Sequence, residues 1–401
     1  MPYDFDTLLD RAGTNSIKWQ FRKTPDGMQF WDQTNAHHGE QRVLPMWVAD
    51  MDFQVAPEIA DAIQKRAAHA VFGYAQPGPG YREAIQGWQQ RRNDWSIELE
   101  WINPVPGIVP AMNLFVKRFT EPGDGVLIQR PVYHPFTFAA EYNNRRVVNS
   151  ALAWDGERYV MDYEDLARKA SDPDVKVALL CNPHNPVGRV WSREELNQYA
   201  AICAEHDVMV FADEVHSDLI MPGNRFVAYG TVENAWQKPF LVGTAPSKTF
   251  NLAGLKTGNM IIPDADVRAE FATEQRAAGL LGINPFGVVA LEAAYNQCEP
   301  WLTEAIAYIA ANMRHLEARI LAELPKLKII QAEGTYLAWI DMRALGLNGE
   351  QIESLLLDKA RLFLDEGHIF GPEGEGYARI NVACSRTLLD EAIDRLVRVI
   401  R

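Results

Sequence analysis

The chain has 401 residues, of which 47% are hydrophobic, enough to bury a large core in two or three structural units. Its 39 basic residues stand against 53 acidic ones, a formal charge of −14, and no basic block interrupts that balance. Nucleic acid and anionic membranes are therefore poor partners for it, and a small-molecule substrate is expected.

At the N-terminus, Met1-Pro2-Tyr3-Asp4-Phe5-Asp6 has no basic region followed by an apolar stretch, so no signal peptide is expected. No later apolar run is long enough to span a bilayer. Between about residues 55 and 285, short apolar runs alternate with helical periodicity, the pattern of a mainly parallel sheet flanked by helices. Helices are predicted over Pro57 to Ala70, Tyr81 to Arg92, Arg193 to His206 and Val288 to Gln297. Strands are predicted over Val126 to Gln129, Val175 to Cys181, Val208 to Asp213, Phe240 to Ala245 and Gly258 to Ile262. From Trp301 the spacing of Leu302, Ile306, Ile309, Met313, Leu316 and Ile320 predicts a long amphipathic helix leading out of this unit. Tyr336 to Asp341, Gln351 to Arg361, Ala378 to Val382 and Leu388 to Ile400 then read as strand, helix, strand, helix, a smaller α+β domain. The expected class is α/β, with a large domain over 46–290 and a small C-terminal domain over 291–401 that includes the linking helix.

The four cysteines, Cys181, Cys203, Cys298 and Cys384, show no Cys-x-x-Cys spacing. They read as small buried hydrophobes, which fits a reducing cytoplasm. No set of His, Cys and carboxylates has metal-ligand spacing, so no metal is expected.

Chemistry enters at Lys248, in Ala245-Pro246-Ser247-Lys248-Thr249-Phe250, directly after the apolar run Phe240-Leu241-Val242-Gly243. This places one amine at the carboxyl edge of a sheet, where open α/β folds keep their ligands, and points to an imine-forming lysine. Two upstream strand-like segments also end in polar residues: Ala178 to Cys181 runs into Asn182-Pro183-His184-Asn185-Pro186-Val187-Gly188, and Val208 to Ala212 into Asp213-Glu214-Val215-His216. Asn185, Asp213 and Lys248 are thus expected along one edge of one sheet. Pyridoxal 5'-phosphate needs such a set: a lysine for its aldehyde, a carboxylate to keep its pyridine nitrogen protonated, and a neutral donor at its ring oxygen. Each piece alone also occurs as a surface lysine, an Asn-Pro turn or a strand end, so the reading rests on their ordered conjunction. Gly107, Ile108 and Val109, a glycine-led entry into a helical pattern that runs to Phe119, are the expected phosphate cradle.

The order Asn-Pro-x-Asn-Pro-x-Gly, Asp-Glu-x-His, Ser-Lys resembles the fold-type I, class I/II aminotransferase superfamily. Thr14-Asn15-Ser16-Ile17-Lys18-Trp19, Pro45-Met46-Trp47-Val48-Ala49-Asp50-Met51-Asp52-Phe53 and Pro131-Val132-Tyr133-His134-Pro135-Phe136 resemble its cystathionine β-lyase branch, the MalY/PatB-like C–S lyases. The likeness covers nearly the whole chain. It implies that the segment 1–45 packs on the small domain and that the cofactor lies between the domains. It also implies that Tyr133 stacks on the pyridine ring, that Tyr74 reaches the phosphate of a neighbouring subunit in a homodimer, and that Arg379 holds the substrate carboxylate. Lys256 stands where the superfamily usually has a phosphate-binding arginine, and Ala245 where it often has serine, with Ser247 and Thr244 as nearby substitutes. His216 stands where many relatives have a tyrosine; contact with the ring oxygen, tuning of Asp213, and a merely structural histidine are all open.

The activity implied is pyridoxal-phosphate-dependent β-elimination from cystathionine or a related cysteine S-conjugate, giving a thiol, pyruvate and ammonia. An aminotransferase of a small amino acid would use the same residues up to removal of the Cα proton. A cofactor-bearing regulatory or interaction protein is the alternative from another class.

Overall fold

The computed structural model describes residues 3–24, 27–31 and 42–401. Its largest sheet has seven strands: β1 (Ile102–Val105), β2 (Gly125–Ile128), β3 (Arg146–Asn149), β4 (Val175–Cys181), β5 (Met209–Asp213), β6 (Phe240–Thr244) and β7 (Gly258–Ile261). Their spatial order is β1-β7-β6-β5-β4-β2-β3. All pairs from β3 to β6 are parallel, while β7 runs antiparallel to both its neighbours.

Successive residues of the central strands go to opposite faces and into two separate cores. Ala178, Leu180, Val210, Ala212 and Val242 join the larger core, and Val177, Leu179, Phe211 and Leu241 the smaller one. Helices cover both faces, so these strands read as continuous apolar runs rather than alternating ones. Several helices begin on proline, at Pro57, Pro79 and Pro285, where the missing N–H costs nothing. Arg193–Glu205 begins with a capping box in which Ser192 and Glu195 satisfy each other's backbone N–H groups.

A second sheet is antiparallel, with β8 (Lys328–Ile330), β9 (Leu337–Asp341), β10 (Asp365–Glu366) and β11 (Tyr377–Asn381) in the order β8-β9-β11-β10. The helix Glu299–Glu323 leads from the first sheet to the second, and Arg386–Ile400 packs back against it. The α/β class with a mainly parallel sheet is therefore as expected, and every predicted strand lies within one residue of its observed ends. One predicted helix differs. Gln351 to Arg361 is a short α-helix, Gly349–Glu353, that widens into a π-helical turn over Ser354–Lys359 and ends before Arg361.

Of the expected N-terminal segment, residues 1–2, 25–26 and 32–41 lie outside the described residues. Leu44 and Pro45 pair in parallel with Leu362 and Phe363, next to the second sheet. Phe5 packs edge-on to Phe53 and Trp301. The four cysteines are free thiols and buried. Among the described residues, no helix is long and apolar enough to cross a membrane, and no three His, Cys, Asp or Glu residues gather as metal ligands.

Candidate active site

Three adjacent parallel strands bring the predicted residues to one edge. Asp213 ends β5, in register with Cys181 at the end of β4 and with Gly243 in β6. Asn185 lies in the loop leaving β4, whose first residue, Asn182, donates its N–H to the Asp213 carbonyl at 3.0 Å. Lys248 lies in the short helix Pro246–Thr249 that directly follows β6. The loop after β2 joins them where the Tyr133 N–H donates to the Asn185 carbonyl at 2.9 Å.

The second sheet supplies Arg379, buried in β11. Its Nη1 donates to Asn185 Oδ1 at 2.9 Å, and its Nη2 donates to the Trp47 carbonyl at 3.1 Å and to the Asp365 carboxylate. The guanidinium also lies 4.8 Å from the centre of the Phe370 ring. An arginine inside an apolar strand needs such partners, because an unpaired buried charge costs several kcal/mol. Its buried Nε has no hydrogen-bond partner among the described residues, leaving one donor for a carboxylate. With Asn185 Oδ1 occupied by Arg379, the Asn185 amide presents its NH₂ end as the free donor.

Between the sheets runs a strap, residues 47–53, fixed by its own backbone. The Ala49 carbonyl accepts from Lys248 Nζ at 2.7 Å and from the Tyr336 hydroxyl at 2.9 Å. Asn381 Nδ2 donates to the carbonyls of Val48 and Asp50, and Asn251 Nδ2 to those of Met51 and Phe53. Buried Lys18 anchors the strap through Asp52 at 2.6 Å, and Trp19 Nε1 and Arg11 also reach Asp52, at 2.8 and 3.0 Å. Burial alone would lower the Lys18 pKa, but Asp52 and Asp50 outweigh it and hold the ammonium charged. No sequence motif marks the roles of Asp365, Tyr336 and the Lys18–Asp52 pair. The available signal is the pair Asp50 and Asp52 in the otherwise apolar Met46 to Phe53.

Burial tunes the titratable groups. It pulls the Lys248 amine down to about 8, helped by Arg379 and opposed by Asp50 and Asp213. It pushes the Asp213 carboxyl up to about 6, against the Val215 N–H and Lys248. His216 is held well below its usual range by burial and by the charges of Lys248 and Arg379, and so stays neutral. Its ring lies edge-on to Tyr336, with centroids 6.0 Å apart, and its buried Nδ1 has no partner among the described residues.

The phosphate candidates lie on the neighbouring part of the sheet. Gly107, at φ 154°, caps the helix Ile108–Phe119, whose first N–H groups lack intrahelical partners. Gly243 and Gly258 leave room for Ile108: a Cβ on Gly243 would come within 3.0 Å of its Cγ2. Thr244 is buried with its hydroxyl unpaired among the described residues, Ser247 is half-buried and Ala245 is buried. Lys256 is exposed, in left-handed backbone, close enough for its charge to lower the Lys248 pKa. Tyr74 is not brought to this site within the chain; it is fully exposed.

A model of the family described as Aminotransferase class I and II matches residues 42–396. The chain belongs to that family. Within it, the chain is 41% identical over 393 residues, 98% of each chain, to the cystathionine beta-lyase PatB of Bacillus subtilis (strain 168). Protein MalY of Escherichia coli (strain K12) is 29% identical over 401 residues, 100% of this chain and 99% of the other. Cystalysin from Treponema denticola, whose crystal structure contains pyridoxal 5'-phosphate, superposes with a TM-score of 0.92 at 36% identity, over 100% of this chain and 99% of that one. A PLP-bound C-S lyase from Staphylococcus hominis gives 0.88 at 29% identity, over 99% and 98%.

The family's cofactor fits this chain's own geometry. A half-buried lysine, a buried carboxylate and an amide with a free NH₂ lie at or just after the ends of three adjacent strands, and a glycine-capped helix N-terminus packs against the same strands.

Proposed function

We propose that this chain is a pyridoxal-phosphate-dependent carbon–sulfur β-lyase acting on cystathionine or related cysteine S-conjugates. Its site would be formed by Lys248, Asp213, Asn185, Tyr133, His216 and Arg379 together with Gly107, Ile108, Val109, Ser247 and Lys256. The observation that carries the reading is the convergence of Lys248, Asp213 and Asn185 from one sheet edge with Arg379 from the other sheet. The preference for a lyase over an aminotransferase is supported by the relatives named cystathionine beta-lyase and C-S lyase.

When bound, the pyridoxal group supplies the electron sink that makes the substrate Cα proton acidic. The chain's residues do the rest. Arg379 binds the substrate carboxylate, using the donor left free on its guanidinium. Lys248, whose amine is partly neutral near pH 8, takes the Cα proton as general base. Asp213 would hold a proton at the pyridine nitrogen, the Asn185 NH₂ group would donate to the ring oxygen, and Tyr133 would stack on the ring. His216, kept neutral by burial and by the charges of Lys248 and Arg379, lies behind this set, able to reach the ring oxygen, to tune Asp213 or only to pack there. The Cβ–S bond breaks with its electron pair on sulfur, which leaves as thiol after taking a proton. With one water added, the remaining carbons and nitrogen leave as pyruvate and ammonia.

The same reading treats 46–290 as the cofactor-binding domain and 291–401 as the small domain, with 1–45 packed on it. It places the enzyme in the cytoplasm as a homodimer. Incubation of the purified holoenzyme with cystathionine, cystine and S-methylcysteine, without any keto acid, tests it. Equal amounts of pyruvate and ammonia over many turnovers are expected. A strict need for a keto-acid acceptor would make the chain an aminotransferase instead.

A further inference from the structure

Beside Tyr133 the chain builds an aromatic ladder. His134 caps the helix Pro135–Glu141 at its start and Tyr142 at its end, with Phe138 between them. A spacing of four places all three on one helix face. Ring centroids step from Tyr133 to His134 at 5.0 Å, to Phe138 at 5.3 Å and to Tyr142 at 5.2 Å, the last pair stacked. The ladder starts where Tyr133 meets Asn185 and ends at Tyr142, which is 73% exposed. Ile17, Met28 and Ile369 line the same cleft, about 480 Å³ in volume, with Lys248 and Arg379 also in its walls.

Among the described residues of this cleft, charge lies at the reacting end. Among the described lining residues the permanent cations are Lys248 and Arg379, and the carboxylate is Asp365, already bound to Arg379. Cystathionine carries a second ammonium and a second carboxylate at the far end of its sulfur substituent. Along this wall that carboxylate meets rings and aliphatic side chains, with no lysine or arginine among the described lining residues to receive it, so its desolvation goes uncompensated. An apolar or aromatic substituent would instead cover apolar surface and stack on the ladder.

We propose that the outer cleft selects cysteine S-conjugates whose sulfur bears an apolar or aromatic group, in preference to cystathionine. The inference rests on the β-lyase reading above and narrows its substrate class.

Steady-state pyruvate release by the holoenzyme from S-benzylcysteine, S-methylcysteine and cystathionine tests it. The expected kcat/KM for S-benzylcysteine exceeds that for cystathionine by about tenfold or more. In Tyr142→Ala and Phe138→Leu the ratio of kcat/KM for S-benzylcysteine to that for S-methylcysteine should fall several-fold, through KM. Tyr142→Arg, at an exposed position that leaves the core untouched, should move the preference toward cystathionine. Cystathionine cleaved as well as S-benzylcysteine, or ratios unmoved in the Tyr142 variants, would overturn the inference while leaving the lyase reading in place. Pyruvate from none of the three would remove the lyase reading, and the inference with it.

Discussion

Lys248 Nζ and the Tyr336 hydroxyl donate to one and the same backbone oxygen, that of Ala49. Lys248 follows the central strand β6 and Tyr336 precedes β9 of the second sheet, so a single carbonyl of the strap ties the two sheets at the reacting lysine. The neighbouring strap carbonyls of Trp47, Val48 and Asp50 bind the second sheet, through Arg379 and Asn381 of β11. The amine is therefore placed by backbone geometry, and the strap that places it is held by the buried Lys18–Asp52 pair.

The first prediction concerns that amine. Borohydride reduction of the holoenzyme should fix the cofactor on one peptide, the one containing Lys248, and abolish the visible absorbance of the bound group. Lys248→Ala should lower turnover by at least about 10²–10⁴, the usual value of a positioned general base. A tag on Lys256, or no cofactor bound at all, would remove the central assignment.

The second is a titration. In the cofactor-free chain, reaction of Lys248 with an amine reagent should rise through a midpoint near pH 8, because burial disfavours the charged form. Asp213 stabilises that charge and Arg379 opposes it, so Asp213→Asn should lower the midpoint and Arg379→Met should raise it. The stability sign follows: the folded chain releases this proton near 8 and an exposed lysine near 10.5, so the unfolded state binds more protons between these values. Over that window the contribution of Lys248 to stability should grow as pH rises and be lost as it falls toward 8. A midpoint near 10.5 in peptide mapping of the labelled amine would contradict the buried setting.

The sequence made the centre of the fold legible and left its margins dark. Within the seven- and four-stranded sheets, each strand that the apolar pattern predicts is interior, while the four that it does not, β1, β3, β8 and β10, are the edge strands. An interior strand is covered on both faces and must read as an apolar run, but an edge strand has less to bury. β1 therefore tolerates Pro104, β3 reads Arg-Val-Val-Asn, and β10 is only the pair Asp365–Glu366. The same logic divides the site. Asp213 ends an interior strand, and Asn185 and Lys248 follow two others within four residues, so all three stand out, whereas Asp365 lies on an edge strand and the Ala49 carbonyl acts through backbone, which no side-chain motif records.

The third prediction tests the strap anchor. Asp52→Asn leaves the fully buried Lys18 ammonium without its main counter-charge, and breaking such a pair costs about 3–5 kcal/mol. The urea midpoint should fall accordingly. The positioning of Lys248 should suffer with it, as a shifted pH profile for cofactor binding. Wild-type stability in Asp52→Asn would mean that Arg11 and Asp50 hold the strap by themselves.

The last prediction concerns Tyr74. Within one chain it is 112% exposed, with Val71 and Phe72 beside it also exposed, although the family resemblance assigns its hydroxyl to a cofactor phosphate. Both statements hold if the phosphate belongs to a second copy of the chain. Cofactor binding would then require the assembled dimer, and adding cofactor should tighten it, since whatever binds only one state stabilises that state. Mixing two inactive variants, Tyr74→Ala and Lys248→Ala, separates the cases. If Tyr74 acts across the interface, the mixed dimer has one site with both lesions and one with neither, and about half of the activity per mixed dimer should return. If Tyr74 serves its own chain, each site of the mixed dimer carries one lesion and no activity returns, even when mass spectrometry shows that the subunits have exchanged.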